Sequence, residues 1–186
     1  MVLTQLANMA KDAIVAAVKG ADDVLTALRT AVKNQIVGTL KDAGDVTGST
    51  MTTVSDVVMG AVASAGDIGT GVVDVAKDAT KAAINAAGEA GGSVLGAVTG
   101  AVTGVVKGAS EVGMDVASAA VGAVEMAIST AGGLGKESAE AAETAIGAAV
   151  KAADEVGGEA GKSVRDALMS AAALPRDVVE KVIKGS

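Results

Sequence analysis

The sequence predicts an all-α protein made of tandem 22-residue (2 × 11) amphipathic helical repeats, and three observations lead to this prediction. A small-small-acidic-apolar signature, clearest at Ala65-Gly66-Asp67-Ile68-Gly69, recurs every 22 residues along the chain. Apolar residues fall three or four positions apart, which is the spacing of one helix face rather than of a strand. Glycines cluster at the junctions between copies, so we expect long helices bent there into hairpins or a bundle.

Copies of the signature occur from one end of the chain to the other. The others begin at Ala21, Ala43, Ala87, Ala109, Ala131, Ala153 and Pro175. Because 22 is twice 11, and 11 residues complete three turns at about 3.67 residues per turn, one helix face stays aligned through successive copies. The whole chain, 1–186, is therefore predicted to be a single repeat domain.

Within this domain three segments differ in composition. Residues 1–42 contain two glycines and predict one glycine-poor amphipathic helix. Residues 43–174 are glycine-rich repeats. Pro175 suits the first turn of a helix, so residues 175–186 predict a short C-terminal helix over 176–184.

The repeat register defines one apolar face, which we call the Val/Ala stripe. Its members share the apolar positions of the 22-residue period: Val24, Leu28, Ile36, Leu40, Val58, Val62, Ile68, Val72, Val102, Val106, Val124, Ile128, Ile146 and Val150. Acidic residues such as Asp67 and Glu155 lie roughly opposite this stripe on the helix.

Basic residues flank the stripe at two positions of the register. They are Lys11, Lys19, Lys33, Lys41, Lys77, Lys107 and Lys151. A long lysine stem can lie along apolar surface while its ammonium stays in water, so these lysines are candidates for a lipid interface. The solvated outer face of a bundle helix produces the same pattern, and both interpretations stay open.

Glycines also form a ladder with a four-residue step in the middle of the chain. Its members are Gly88, Gly92, Gly96, Gly100, Gly104 and Gly108. A row of small residues at this spacing on a helix lets a second helix approach closely. We therefore predict that these glycines serve helix packing.

The composition argues against several classes of function. The chain has no Phe, Trp, Tyr, His or Cys and a net charge of −7. Without His and Cys it lacks the commonest general base and the usual transition-metal ligands, so we expect no enzyme, no cofactor and no metal site. Acidic charge and the lack of aromatic residues argue against nucleic-acid binding. The Gly-Lys-Ser string at 161–163 lacks the earlier glycine of a phosphate-binding loop, where Val156 stands, so no nucleotide is expected.

A signal peptide is not expected at the start of the sequence. Lys11 and Asp12 precede any apolar run long enough for a signal-peptide core, which favours a cytoplasmic or peripheral membrane location. The longest charge-free run, residues 90–106, spans 17 residues and contains five glycines. It lies at the lower edge of what crosses a bilayer.

The repeats resemble a broad class of proteins built from 11- or 22-residue amphipathic helical repeats. The 22-residue register with Pro175 opening its last copy resembles exchangeable apolipoproteins. Residues 98–108 contain Val-Thr-Gly and Val-Val-Lys-Gly and are similar in sequence to synuclein repeats. Residues 76–83, Ala-Lys-Asp-Ala-Thr-Lys-Ala-Ala, resemble group 3 late-embryogenesis-abundant proteins. The chain departs from them by lacking aromatic anchors and the synuclein Lys-Thr-Lys core, and by its positive mean hydropathy of +0.48.

Three non-enzymatic functions follow from these patterns. The first is an acidic repeat protein that binds a lipid or membrane surface as a coat or stabiliser through its Val/Ala stripe. The second is a structural protein, a helical scaffold or fibre whose partners are identical chains in a homo-oligomer. The third is a desiccation or stress protectant that is disordered in water and becomes helical on drying.

Overall fold

The computed structural model describes residues 5–18, 23–43 and 46–185, and this part of the chain consists of helices and turns without a strand. The all-α prediction is confirmed. The described residues form ten helices, which follow one another in the order α1 (Gln5–Val18), α2 (Val24–Ala43), α3 (Val46–Ala63), α4 (Ala65–Ile68), α5 (Val72–Glu89), α6 (Val94–Glu111), α7 (Val116–Gly133), α8 (Ser138–Val156), α9 (Gly158–Ser170) and α10 (Arg176–Lys184).

The helices form two layers. Each long helix contacts the next helix in the chain and also the next helix of its own layer. One layer contains α1, α3, α6, α8 and α10, and the other contains α2, α5, α7 and α9. The single turn α4 follows α3 after Ser64 and extends the first layer. Alternation between two layers with contacts only to near neighbours is the arrangement of an α-solenoid.

In the part of the chain that the structure describes, four glycine turns reverse the chain between helices. Gly69, Gly91, Gly113 and Gly135 have φ values of +69°, +78°, +66° and +82°, a left-handed conformation that glycine adopts without a steric cost. The residue after each glycine donates its N–H to a carbonyl five residues earlier; Met114 donates to Ala109 at 2.9 Å. This hydrogen bond ends the helix and turns the chain back along it.

Polar side chains close the starts of several helices. The Asp115 carboxylate accepts the backbone N–H of Ser118 at 3.0 Å and its hydroxyl at 2.6 Å. These bonds, the hydroxyl first, hold the pKa of Asp115 below its ordinary value. Ser93 accepts the N–H of Gly96 at the start of α6. Each cap satisfies a donor that the first helical turn cannot use itself.

The N-terminal segment differs from its prediction. One helix was expected over 1–42, but the structure has α1 and α2 in this range. Asp23 is the reason at the start of α2, because its carboxylate accepts the N–H and the hydroxyl of Thr26 and so favours a new helix start. Residues 19–22 lie outside the described part of the chain. The C-terminal helix α10 occupies the range expected for it after Pro175.

Helices α3 and α6 make the most extensive contact between two helices of the described chain, and glycines lie at its centre. A Cβ atom at Gly104 would overlap the carbonyl oxygen of Ser55 and lie 3.0 Å from the Cβ of Val58. A Cβ at Gly108 would lie 2.7 Å from the carbonyl oxygen of Met59. The two backbones therefore touch, which only glycine permits.

In the second half of the glycine ladder the glycines lie against the backbone of α3, whereas a Cβ at Gly92 would meet only the side chain of Thr50 in α3. Gly100, Gly104 and Gly108 face the backbone of α3. Gly88 belongs to α5, and Gly92 lies in the turn before α6. A Cβ at Gly96 would meet Ser93 of its own first turn rather than another helix. The ladder is divided because α5 ends at Glu89, so its members do not share one helix face.

Thr80 is a polar residue inside the core of α5. Its side chain is fully buried, and its hydroxyl oxygen has no hydrogen-bond partner. The same position of the register is aliphatic in the other copies, for example Val58 and Val102. A buried hydroxyl without a partner destabilises the fold by about 1–3 kcal/mol.

The glycine contact predicts the effect of one added methyl group. We expect Gly104→Ala to lower the free energy of unfolding by about 1–3 kcal/mol through overpacking, although alanine favours helix by about 1 kcal/mol. Gly38→Ala in α2 is the matched control, because a Cβ there meets no atom within 4 Å, and should be neutral or stabilising. Urea unfolding followed by circular dichroism measures both, and equal effects would contradict the close contact.

The buried hydroxyl predicts a stabilising substitution. Thr80→Val should raise the free energy of unfolding by about 1 kcal/mol, because the unsatisfied oxygen is replaced by a methyl group of the same shape. Thr130→Val is the control: Thr130 is also buried, but its hydroxyl donates to the carbonyl of Met126 at 2.7 Å. Urea unfolding should show no gain for the control, and a loss for Thr80→Val would show that its hydroxyl is satisfied.

Candidate functional site

The Val/Ala stripe points into the molecule. Nine of its residues are fully buried by neighbouring helices: Leu28, Ile36, Leu40, Val58, Val62, Val102, Val106, Val124 and Ile146. Val24, Val72, Ile128 and Val150 are partly buried and pack against the same core. The side chain of Ile68 lies outside the described residues. The stripe is therefore covered by the chain's own helices in this fold.

Four of the seven predicted interfacial lysines bind carboxylates of another helix. The pairs are Lys11 with Asp67 at 3.1 Å, Lys33 with Glu89 at 2.6 Å, Lys77 with Glu125 at 3.5 Å, and Lys107 with Glu155 at 2.9 Å. Each pair joins two successive helices of one layer, with α4 counted as the continuation of α3. Each lysine thus connects two neighbouring helices within a layer.

The other three lysines behave differently. Lys41 and Lys151 are exposed, and neither forms an ion pair with the described part of the chain. Lys19 lies outside the described residues. Arg29, which lies outside the predicted lysine positions, pairs with Asp78 at 3.0 Å and joins α2 to α5. The sequence feature that could have indicated this pair is Asp78. It is an acidic residue at a register position that faces the preceding helix of the same layer.

Glu155 shows how these pairs affect titration. Lys107 donates a hydrogen bond to its carboxylate, and this bond, followed by the charges of Lys107 and Lys151, lowers the pKa of Glu155 from its ordinary value of 4.5. Glu111 occupies the same register position 44 residues earlier, at the end of α6. Its Oε1 atom is buried and has no hydrogen-bond partner. The two glutamates thus differ in whether a donor faces them.

A groove opens between α8 and α10. It has a volume of about 550 Å³ and is lined by Gly147, Val150, Lys151, Asp154, Glu155 and Val182. Its floor is apolar, and its rim carries one lysine and two carboxylates. Val150 of the predicted apolar face and Lys151 of the predicted interfacial lysines lie together in this groove.

Two further properties bear on partners. The described residues contain no group of three or more His, Cys, Asp or Glu side chains that could hold a metal ion.

By length and composition, α7 (Val116–Gly133) could cross a membrane, and 44% of it is buried within the fold. It is the one such helix in the part of the chain that the structure describes.

The paired glutamates predict a pH-dependent difference. Glu155→Gln should lower the free energy of unfolding by less than about 1 kcal/mol near neutral pH, because the half-exposed ion pair is screened by solvent. A lowered folded-state pKa means that this stabilisation exists above 4.5 and is lost as the pH falls through the lower value. Glu111→Gln should cause no loss near neutral pH, because the buried Oε1 atom of Glu111 has no hydrogen-bond partner to lose. Urea unfolding over an acidic pH series compares them, and identical profiles would contradict the pairing.

The fold is similar to that of a de novo designed helical repeat protein, DHR7, known from its crystal structure. The two chains are 22% identical, with a TM-score of 0.54, over 97% of this chain and 94% of that chain. This likeness concerns the fold alone. No protein-family model and no curated protein matches the sequence. The chain therefore has an all-α fold of the helical-repeat type.

Proposed function

We propose that the protein is a non-enzymatic helical scaffold that acts through helix–helix contacts with other chains, copies of itself in particular. One observation carries this proposal: the Val/Ala stripe is buried against the chain's own helices. Burial of apolar side chains supplies most of the stability of a helix in a protein, so this burial supports a chain that folds without a lipid surface. A rigid α-solenoid then presents its surface grooves to partners.

We further propose that the scaffold is built from 22-residue units, each one helix followed by a glycine turn. Helices α5, α6, α7 and α8 begin at residues 72, 94, 116 and 138, which are 22 residues apart. The left-handed glycines at 69, 91, 113 and 135 keep the same interval. Because successive helices alternate between layers, two units of 44 residues in total form the structural repeat.

A lipid surface is the second candidate partner, and α7 favours it. This helix has a mean hydropathy of 1.3 over 18 residues, and less than half of it is buried. Met9 and Met51 are also large apolar side chains exposed on other helices. Binding through the Val/Ala stripe itself would require the helices to separate, at the expense of the core contacts.

Circular dichroism and sedimentation of the full chain distinguish these functions. For a scaffold we expect strong helicity in plain buffer, no change with anionic or neutral vesicles, and association that increases with protein concentration. Helicity that appears only with anionic vesicles would establish lipid-driven folding instead. A disordered chain in buffer that becomes helical in a dried film would indicate a protectant. A helical monomer at every concentration would contradict self-assembly.

A further inference from the structure

The groove between α8 and α10 lies where the shorter helix α10 ends beside α8. α8 has 19 residues, whereas α10, the next helix of that layer, has nine. Lys181 of α10 pairs with Glu143 near the start of α8, so α10 covers the first half of α8. Val182 lines the groove, and α10 does not cover the face of α8 that carries Gly147, Val150 and Lys151.

An equivalent surface 44 residues earlier, on α6, is covered. Val106 and Lys107 of α6 correspond to Val150 and Lys151 of α8. Val106 is fully buried, and Lys107 binds Glu155 of α8, which packs along α6. The occupant of the α6 surface is thus a helix with an Ala-rich apolar face and a glutamate.

The groove on α8 retains the features that receive such a helix. Val150 is only partly buried, and Gly147 has open space where a side chain would lie. The two rim carboxylates already have partners, since Asp154 binds Arg165 and Glu155 binds Lys107. Lys151 acts on Glu155 of its own helix through its charge, and it is the rim charge that forms no ion pair with another helix of the described chain.

We propose that this groove binds an acidic helical segment of a partner chain. The segment has a face of alanine and valine that packs on Gly147, Val150 and Val182, and a glutamate whose carboxylate pairs with Lys151. It continues the helix packing of α8 on α6. The inference rests on the proposed scaffold function and names the chemistry of its partner.

A labelled synthetic peptide with the sequence of residues 138–156 is the probe, because this is the helix that covers the equivalent surface of α6. Fluorescence anisotropy measures its binding to the full chain. Lys151→Glu should weaken binding about fivefold, the factor expected for one surface ion pair. A peptide with Glu155→Lys should recover that loss on the Lys151→Glu chain.

Two other variants test the groove independently of charge. Gly147→Met fills the open space, should leave the circular dichroism spectrum unchanged and should abolish peptide binding. Lys41→Glu changes another exposed lysine, on α2, and should have no effect on peptide binding.

The outcomes separate this inference from the scaffold function. The proposal that the groove binds an acidic helix would be overturned if the peptide did not bind. It would also be overturned if Lys151→Glu and Lys41→Glu bound the peptide equally well. The groove proposal would also be overturned if a long-chain fatty acid bound to the chain, lost this binding in Lys151→Glu, and the peptide did not bind. If the wild-type chain still associates in sedimentation, only the groove is wrong; if it is a monomer, self-assembly is wrong whatever the peptide shows.

Discussion

The contact between the backbones of α3 and α6 is the constraint on which the rest of the fold depends. The chain has no aromatic residue, and its core consists mainly of alanine and valine. Short side chains fill the space between two helices only if the helix axes come close together. Glycines such as Gly104 allow this approach, and Gly60 brings α3 against α1 in the same way. Close approach restores the packing density that larger side chains supply in other cores.

Ion pairs along each layer complement this packing. A lysine beside the apolar face of one helix reaches the carboxylate of the next helix in the layer, as Lys107 reaches Glu155. Such pairs contribute little stability individually because they are exposed. They do favour one alignment of neighbouring helices over alignments shifted by a turn. The lysines that flank the apolar face, expected from the sequence at a lipid interface, thus join neighbouring helices within the molecule. Lys151 occupies the same register position as Lys107 but has no carboxylate of another helix beside it.

Sequence reasoning located the elements of the candidate site but not their arrangement. Val150 and Lys151 were both identified from the repeat register. That they lie in a groove depends on α10 being half as long as α8 and on where it packs, and Val182 enters only through that packing. Arg29 was missed because its partner Asp78 is 49 residues away. A pattern within one helix contains no information on such a distance.

The sequence by itself determined the helical content, the apolar face and the positions where glycine can turn the chain. These properties are local, because they follow from the spacing of side chains along one helix and from backbone freedom at one residue. The tertiary structure decided what covers the apolar face. A periodic stripe is equally compatible with lipid, with another chain and with the same chain folded back. The choice depends on contacts such as Gly104 with Ser55, between residues far apart in sequence.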